Sequence, residues 1–219
     1  LKKKGKIDGT FKFIAFGGDG GTYDIGLQSL SGAMERGHDM VYVCYDNEAY
    51  MNTGIQRSSS TPRFADATTT PVGTVTPGKT QNKKDLTAII AAHNIPYVAQ
   101  TTFIGNFKDL HEKAEKAIYT EGPAFLNIMS PCPRGWRYEA ENLAEICKLA
   151  VDSCVWPLFE VEYGAWKLSY EPKKKLPVEE YLKKQGRFKH LFKKGNEWMV
   201  EEAQKYVDRQ WEALLARCR

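Results

Sequence analysis

The chain has 219 residues, of which 42% are hydrophobic and 26% charged, and its formal net charge is +4. This composition suits one domain with a sizeable buried core and excludes an intrinsically disordered chain. No apolar run approaches the roughly 20 residues of a membrane-spanning helix, and no signal peptide is evident, so we expect a cytoplasmic protein without a membrane anchor. Leu1 is not a usual translation start, which predicts that further residues precede it.

The first 150 residues alternate short apolar runs with amphipathic stretches, a pattern typical of βαβ units. Strands are predicted at residues 11–16, 40–45, 97–101 and 124–129, the first of them buried. Helices are predicted at residues 24–36, 85–93, 106–121 and 140–153, with Leu110, Ala114, Ala117 and Ile118 forming the apolar face of the third. The sequence therefore predicts an α/β fold, a parallel sheet flanked by helices.

Two further segments differ in character from these units. Residues 46–84 are rich in Ser, Thr, Pro and Gly, and an irregular loop of that length is usually functional. Residues after 153 are aromatic and basic, and residues 196–217 have the pattern of one long amphipathic helix. We therefore divide the chain into an α/β domain, residues 1–153, and a basic, largely helical C-terminal extension, residues 154–219, which packs on the domain or on partner subunits.

The charge and the cysteines are unevenly distributed. Residues 167–194 contain ten Lys and Arg against three acids, a net charge of +7, so the rest of the chain carries −3. This predicts a local docking surface, or simply a solvated basic face, and not a nucleic-acid-binding domain. The five cysteines form no C-x-x-C pair, which favours a reducing compartment over a disulfide framework.

Two glycine-rich motifs suggest different chemistry. Residues 73–80 match the P-loop pattern G-x-x-x-x-G-K-[ST], but no buried strand precedes them and polar residues delay the next helix. Residues 17–23 do lie between a strand and a helix. There Tyr23 replaces the third glycine of a dinucleotide-binding fingerprint, and Asp19 would face a phosphate unless a cation intervened.

A magnesium ion between Asp19 and a diphosphate removes this conflict. Asn47 lies 28 residues further on, directly after the next predicted strand, and could supply a second oxygen ligand. The carboxyl ends of adjacent parallel strands meet at one edge of a sheet. The spacing therefore predicts that Asp19 and Asn47 share one metal site.

Two longer segments resemble a known family. Residues 18–26 (GDGGTYDIG) and 45–59 (YDNEAYMNTGIQRSS) resemble the thiamine-diphosphate-binding β subunit of pyruvate:ferredoxin oxidoreductases, the 2-oxoacid:ferredoxin oxidoreductase family. Residues 130–133 (SPCP) and the basic, helical C-terminal extension fit the same family, so the resemblance covers nearly the whole chain. It implies the thiamine-diphosphate-binding fold.

The resemblance also assigns roles to individual residues. It implies that Mg²⁺ is held by the side chains of Asp19 and Asn47 and by the carbonyl of Ala49. Asn52 would lie near the reactive ring of the cofactor and orient the substrate. The residues implied in cofactor binding are Gly18, Asp19, Gly20, Gly21, Asn47 and Ala49.

An iron–sulfur ligand is implied by the same resemblance. Cys132, in the S-P-C-P turn, corresponds to one of four cysteines that hold a [4Fe-4S] cluster in the family. The other three belong to an N-terminal segment that would precede Leu1 or be supplied by another chain. The remaining cysteines (Cys44, Cys147, Cys154 and Cys218) are expected to be structural.

The implied function is a subunit of a 2-oxoacid:ferredoxin oxidoreductase, which decarboxylates its substrate and passes electrons through [4Fe-4S] clusters to ferredoxin. Residues 50–54 (YMNTG) are of the pyruvate type, which also implies coenzyme A and partner subunits of the α, γ and δ types. Oxalate or another small 2-oxoacid remains an alternative, because substrate-binding residues lie largely on the α subunit. A P-loop nucleotide hydrolase and a non-catalytic binding module are more distant alternatives.

Overall fold

The computed structural model describes residues 4–9, 11–105 and 107–219, and their strands form one six-stranded sheet in the order β1-β2-β4-β3-β5-β6. The strands β1 to β4 are mutually parallel, whereas β5 is antiparallel to β3 and β6 is antiparallel to β5. Their bounds are Phe13–Gly18 (β1), Met40–Asp46 (β2), Tyr97–Thr101 (β3), Ala124–Met129 (β4), Phe159–Glu162 (β5) and Ala165–Leu168 (β6).

The helices alternate with the parallel strands, which confirms the predicted α/β fold. A π-helical turn, Gly20–Ile25, follows β1 and leads into the first α-helix. The α-helices are Leu27–Glu35 (α1), Leu86–Ala91 (α2), Lys108–Tyr119 (α3), Pro133–Trp136 (α4), Leu143–Asp152 (α5), Val178–Lys183 (α6) and Glu197–Arg217 (α7). Short 3₁₀ helices cover Ala140–Asn142 and Gly186–Phe192.

Two details of burial differ from the sequence prediction. The first strand lies at the sheet edge, and Phe13 and Phe16 remain 74% and 71% exposed, so its predicted burial is wrong. On α3, Ile118 is exposed while Lys113 is buried. The Lys113 ammonium donates to the Gln100 carbonyl and pairs with the Asp109 carboxylate, and these partners replace water around the charge. On α3 the prediction is therefore wrong for Ile118, whereas Ala114 and Ala117 do face the core.

Residues 47–84 contain no helix or strand element, as predicted for this loop, yet they pack against the body. Phe64 and Ala65 belong to the main hydrophobic core together with Trp136 of α4 and Phe188. A second core between the sheet and α2 contains Phe125 of β4. The loop is thus a packed part of the domain and can present side chains in fixed positions.

The C-terminal segment continues the same sheet before it becomes helical. The hairpin of β5 and β6, which the sequence did not reveal, turns through Tyr163 and Gly164, both with positive φ. The long helix α7 matches its prediction and buries Met199, Val207 and Leu214. The domain boundary at residue 153 stays a prediction. Among the described residues, no helix combines the length and the apolar character of a membrane span.

Candidate functional site

The ends of β1 and β2 form the candidate site. The two strands pair in parallel with Gly18 opposite Tyr45, so the residues that follow them emerge side by side. A cavity of about 240 Å³ opens there. Its lining includes every residue that the sequence assigned to the cofactor, the magnesium ion and the substrate: Gly18, Asp19, Gly20, Gly21, Asn47, Ala49 and Asn52. Cys132 is not part of this lining.

Three polar groups meet at the bottom of the turn. The Asn47 side-chain amide faces the Ala49 carbonyl oxygen and Asp19 Oδ1, and with its nitrogen turned towards them it donates to these atoms at 2.8 Å and 2.9 Å. With its oxygen turned the same way, the amide, the carbonyl and the carboxylate would present three oxygen acceptors to a cation.

Burial makes the Asp19 carboxyl unusual. Desolvation, assisted by the negative charge of Asp46, raises the pKa of Asp19 to about 7, although the Ser58 hydroxyl donates to Oδ2 at 2.5 Å. A carboxylate in such surroundings is stabilised in its charged form by a nearby cation. The donor set of one carboxylate, one amide oxygen and one backbone carbonyl therefore suits a hard metal ion.

Close packing explains the glycine at position 20. A Cβ there would approach the Tyr50 ring to 2.3 Å, and the Tyr50 hydroxyl donates to the Gly20 carbonyl at 2.9 Å. At Gly21, in contrast, a Cβ would meet no heavy atom of the described residues within 4 Å. Gly20 therefore allows the turn after β1 to pack closely against Tyr50 in the loop after β2. Gly21 leaves open space at the cavity.

A buried ionic network lies behind the site. Lys83 Nζ contacts Asp46 Oδ2 at 2.8 Å and Glu48 Oε1 at 2.9 Å, and Arg187 Nη2 contacts Glu48 Oε2 at 2.5 Å. Although burial by itself would raise it, Lys83 and Arg187 hold the pKa of the Glu48 carboxyl below its ordinary value. Sequence reasoning missed this network, because Glu48 and Arg187 are 139 positions apart and no local pattern links them.

Cys132 lies in the turn between β4 and α4 and is half-buried. Its Sγ accepts a hydrogen bond from the Gly135 amide at 3.4 Å. A Cβ on Gly135 would meet Met51 Sδ at 2.4 Å and Cys132 Sγ at 3.7 Å, so Cys132 lies near the loop that lines the cavity. Burial raises the pKa of the four other thiols, which favours their protonated form: Cys44, Cys147, Cys154 and Cys218.

The alternative glycine motif has no P-loop geometry. Residues 73–80 are irregular, and α2 begins only at Leu86. Lys79 is buried, and its ammonium donates to the carbonyls of Ser59 at 3.2 Å and Thr61 at 2.5 Å. Burial, assisted by the positive charges of Arg57 and Lys83, lowers the pKa of Lys79 to about 8. This side chain supports the loop from inside and does not face a phosphate site.

The basic segment 167–194 is less uniform than its composition suggests. Arg187 is buried, and four lysines form ion pairs with acidic residues elsewhere in the fold or in the segment: Lys167 with Glu160, Lys175 with Asp208, Lys183 with Glu179, and Lys184 with Glu145. The remaining exposed charge includes Lys173 and Lys174. A docking role for this surface stays a prediction.

Comparison with known proteins identifies the family of the chain. The family model "Thiamine pyrophosphate enzyme, C-terminal TPP binding domain" matches residues 6–128, so the chain carries a cofactor-binding domain of that class. The chain is 54% identical over 218 residues to "Pyruvate synthase subunit PorB" of Thermotoga maritima, covering 98% of this chain and 67% of the relative. It is 49% identical over 203 residues to "Ketoisovalerate oxidoreductase subunit VorB" of Pyrococcus furiosus, covering 92% of this chain and 64% of the relative.

A solved structure of 2-oxoglutarate:ferredoxin oxidoreductase from Magnetococcus marinus matches with a TM-score of 0.48 and 28% identity, over 61% of this chain and 50% of that chain. From the relatives and the matched domain, the chain belongs to the thiamine-diphosphate-binding β subunits of the 2-oxoacid:ferredoxin oxidoreductase family. The resemblance recognised in the sequence is thereby confirmed.

Proposed function

We propose that this chain holds thiamine diphosphate and Mg²⁺ in a pyruvate-type 2-oxoacid:ferredoxin oxidoreductase. The supporting observation is the oxygen set of Asp19, Asn47 and Ala49. A carboxylate, an amide oxygen and a backbone carbonyl would hold a hard ion such as Mg²⁺. The Asn47 side-chain amide lies 2.8 Å from the Ala49 carbonyl oxygen and 2.9 Å from Asp19 Oδ1, so the three groups are close enough to share one ion.

The remaining cavity residues are proposed to bind thiamine diphosphate and the substrate. Gly18, Gly20 and Gly21 bring backbone amides towards the diphosphate, and the open space at Gly21 allows its oxygens to approach. Asn52, exposed at the cavity, orients the substrate. Thiamine diphosphate, when bound, supplies the carbon chemistry of 2-oxoacid decarboxylation, and the chain supplies its metal clamp and orientation.

The proposed substrate is pyruvate, with coenzyme A as the acyl acceptor. Support comes from residues 50–54 and from the similarity to the pyruvate synthase subunit. The relative named for ketoisovalerate is nearly as similar, so a branched 2-oxoacid, oxalate or another small 2-oxoacid is the competing substrate class. Steady-state assays of the whole complex with these acids and 2-oxoglutarate decide the matter. A preference for any of them over pyruvate would contradict the assignment.

In this proposal Cys132 would supply one thiolate to a [4Fe-4S] cluster, which would provide one-electron transfer. Cys132 lies close to Met51, a residue that lines the cofactor cavity. The described residues contain no group of three or more His, Cys, Asp and Glu side chains arranged for a metal, so further cluster ligands must lie outside them. Ferredoxin, in the cytoplasm, receives the electrons, and α-, γ- and δ-type subunits complete the enzyme.

Asp19→Asn tests the metal and cofactor assignment, because it keeps the size of the side chain and removes its charge. In the purified complex we expect Mg²⁺-dependent binding of thiamine diphosphate, measured by calorimetry, to be lost. Asp85→Asn is the matched control: Asp85 is exposed and caps α2 by accepting from the Ala88 amide, and asparagine caps equally well.

Lys79→Met separates this function from nucleotide hydrolysis. We expect it to weaken the loop packing without abolishing Mg²⁺-dependent cofactor binding. Loss of activity in Lys79→Met, with normal cofactor binding in Asp19→Asn, would assign the function to residues 73–80 and refute the proposal.

A further inference from the structure

The residue between two of the proposed metal ligands has an unusual backbone. Glu48 has φ of 65°, a left-handed conformation that side-chain-bearing residues rarely adopt, and its side chain is only 2% exposed. Such a conformation persists when the surrounding structure fixes it. Because Asn47 and Ala49 flank Glu48, whatever holds Glu48 also sets the relative positions of the two ligand oxygens.

Arg187 contacts this segment on two sides. Its Nη2 lies 2.5 Å from Glu48 Oε2, and its guanidinium lies 3.9 Å from the centre of the Trp136 ring. Trp136 Nε1 in turn donates to the carbonyl oxygen of Asn47 at 2.8 Å. One arginine thus orients both the side chain of Glu48 and the ring that holds the preceding peptide.

Arg187 is itself held in place by hydrogen bonds to the C-terminal segment and to the loop 47–84. Its Nε and Nη2 donate to Gln185 Oε1 at 2.9 Å and 2.7 Å, and its carbonyl accepts from the Asp66 amide at 3.0 Å. The Arg187 side chain is 3% exposed. A planar guanidinium can stack on a ring and bond two oxygen acceptors at once, which a lysine ammonium cannot do.

We propose that Arg187 is a positioning residue for the metal site, through which docking of the C-terminal segment is coupled to binding of Mg²⁺ and thiamine diphosphate. The inference rests on the proposed function, because it concerns the same oxygen ligands. It predicts that loss of Arg187 leaves the Glu48 carboxylate with Lys83 as its cationic partner, so that the Asn47 and Ala49 oxygens shift relative to each other before the rest of the fold is altered.

The test is a calorimetric titration of the purified complex with Mg²⁺ at saturating thiamine diphosphate. Replacing a group that orients metal ligands lowers metal affinity by about 10–100-fold. We therefore expect Arg187→Met to weaken apparent Mg²⁺ affinity at least tenfold and Arg187→Lys to give an intermediate value. Lys113→Met is the matched control, since Lys113 is also a buried cation paired with a carboxylate, Asp109, but lies on α3. We expect less than a twofold change there.

Trp136→Phe is the second variant and decides the question if the arginine variants fail to assemble. It keeps an aromatic ring beneath residue 187 but removes the donor to Asn47 and part of the buried ring, so a several-fold loss of Mg²⁺ affinity is expected. Parental Mg²⁺ affinity in Arg187→Met, or in Trp136→Phe where the former does not assemble, would overturn the inference. An equal loss in Lys113→Met would do the same. If Asp19→Asn binds the cofactor normally, the proposed function itself fails; if only the Arg187 variants are normal, that function survives.

Discussion

Replacing Gly20 by alanine tests whether the glycine-rich turn and the Tyr50 loop form one packed unit. The new Cβ would lie 2.3, 2.4 and 2.7 Å from three atoms of the Tyr50 ring. Carbon atoms in contact are normally about 3.5 Å apart, so the ring must move by about 1 Å. That movement disturbs the hydrogen bond from the Tyr50 hydroxyl to the Gly20 carbonyl, which is 2.9 Å long.

The magnitude follows from these two effects. Overpacking costs about 1–3 kcal/mol, and a lost hydrogen bond costs about 1 kcal/mol. Because Tyr50 is half-buried and its ring can yield towards solvent, we expect a loss of about 2 kcal/mol in the free energy of unfolding. For a chain of this size that corresponds to a Tm lower by about 4–8 °C. Since Tyr50 follows Ala49, affinity for Mg²⁺ and thiamine diphosphate should fall as well.

Thermal unfolding and calorimetric cofactor binding of the purified complex measure both consequences. Gly73→Ala is the control, because a Cβ there meets no heavy atom of the described residues within 4 Å and its φ is not positive. In a Tyr50→Ala background the effect of Gly20→Ala should largely disappear, since the clashing ring is gone. An equal destabilisation in both backgrounds would refute the packing argument.

Three further predictions concern the ligands and the basic segment. Asn47→Leu removes an oxygen at nearly constant size, so Mg²⁺-dependent cofactor affinity should fall at least about tenfold in calorimetry, and unchanged affinity would show that Asn47 is no ligand. Cys132→Ala should lower the iron content of the complex, whereas Cys147→Ala, which truncates a buried core thiol, should not; the reverse pattern contradicts the assignment. Exchanging exposed Lys173 and Lys174 for Gln should slow ferredoxin reduction at low salt, with convergence as the Debye length falls from about 10 Å at 0.1 M to about 3 Å at 1 M. Equal rates at every salt concentration would indicate a solvated surface.

Local sequence patterns determined most of the sheet. The runs 97–101 and 124–129 coincide with β3 and β4, since strands buried on both faces are mostly apolar. The same reasoning placed Asp19 and Asn47 together, because the ends of neighbouring parallel strands share one edge. It was wrong about the burial of β1, since an apolar run records hydrophobicity and not whether another element covers it.

What only the tertiary structure decided is how the site is supported. No periodicity in the sequence connects Glu48 with Arg187, because an ion pair between residues 139 positions apart depends on the path of the whole chain. The conformation of Glu48 is equally hidden, since its left-handed φ is stabilised by partners that only the folded chain assembles. The sequence therefore predicts which residues hold the metal, whereas the contact between Glu48 and Arg187 is evident only in the folded chain.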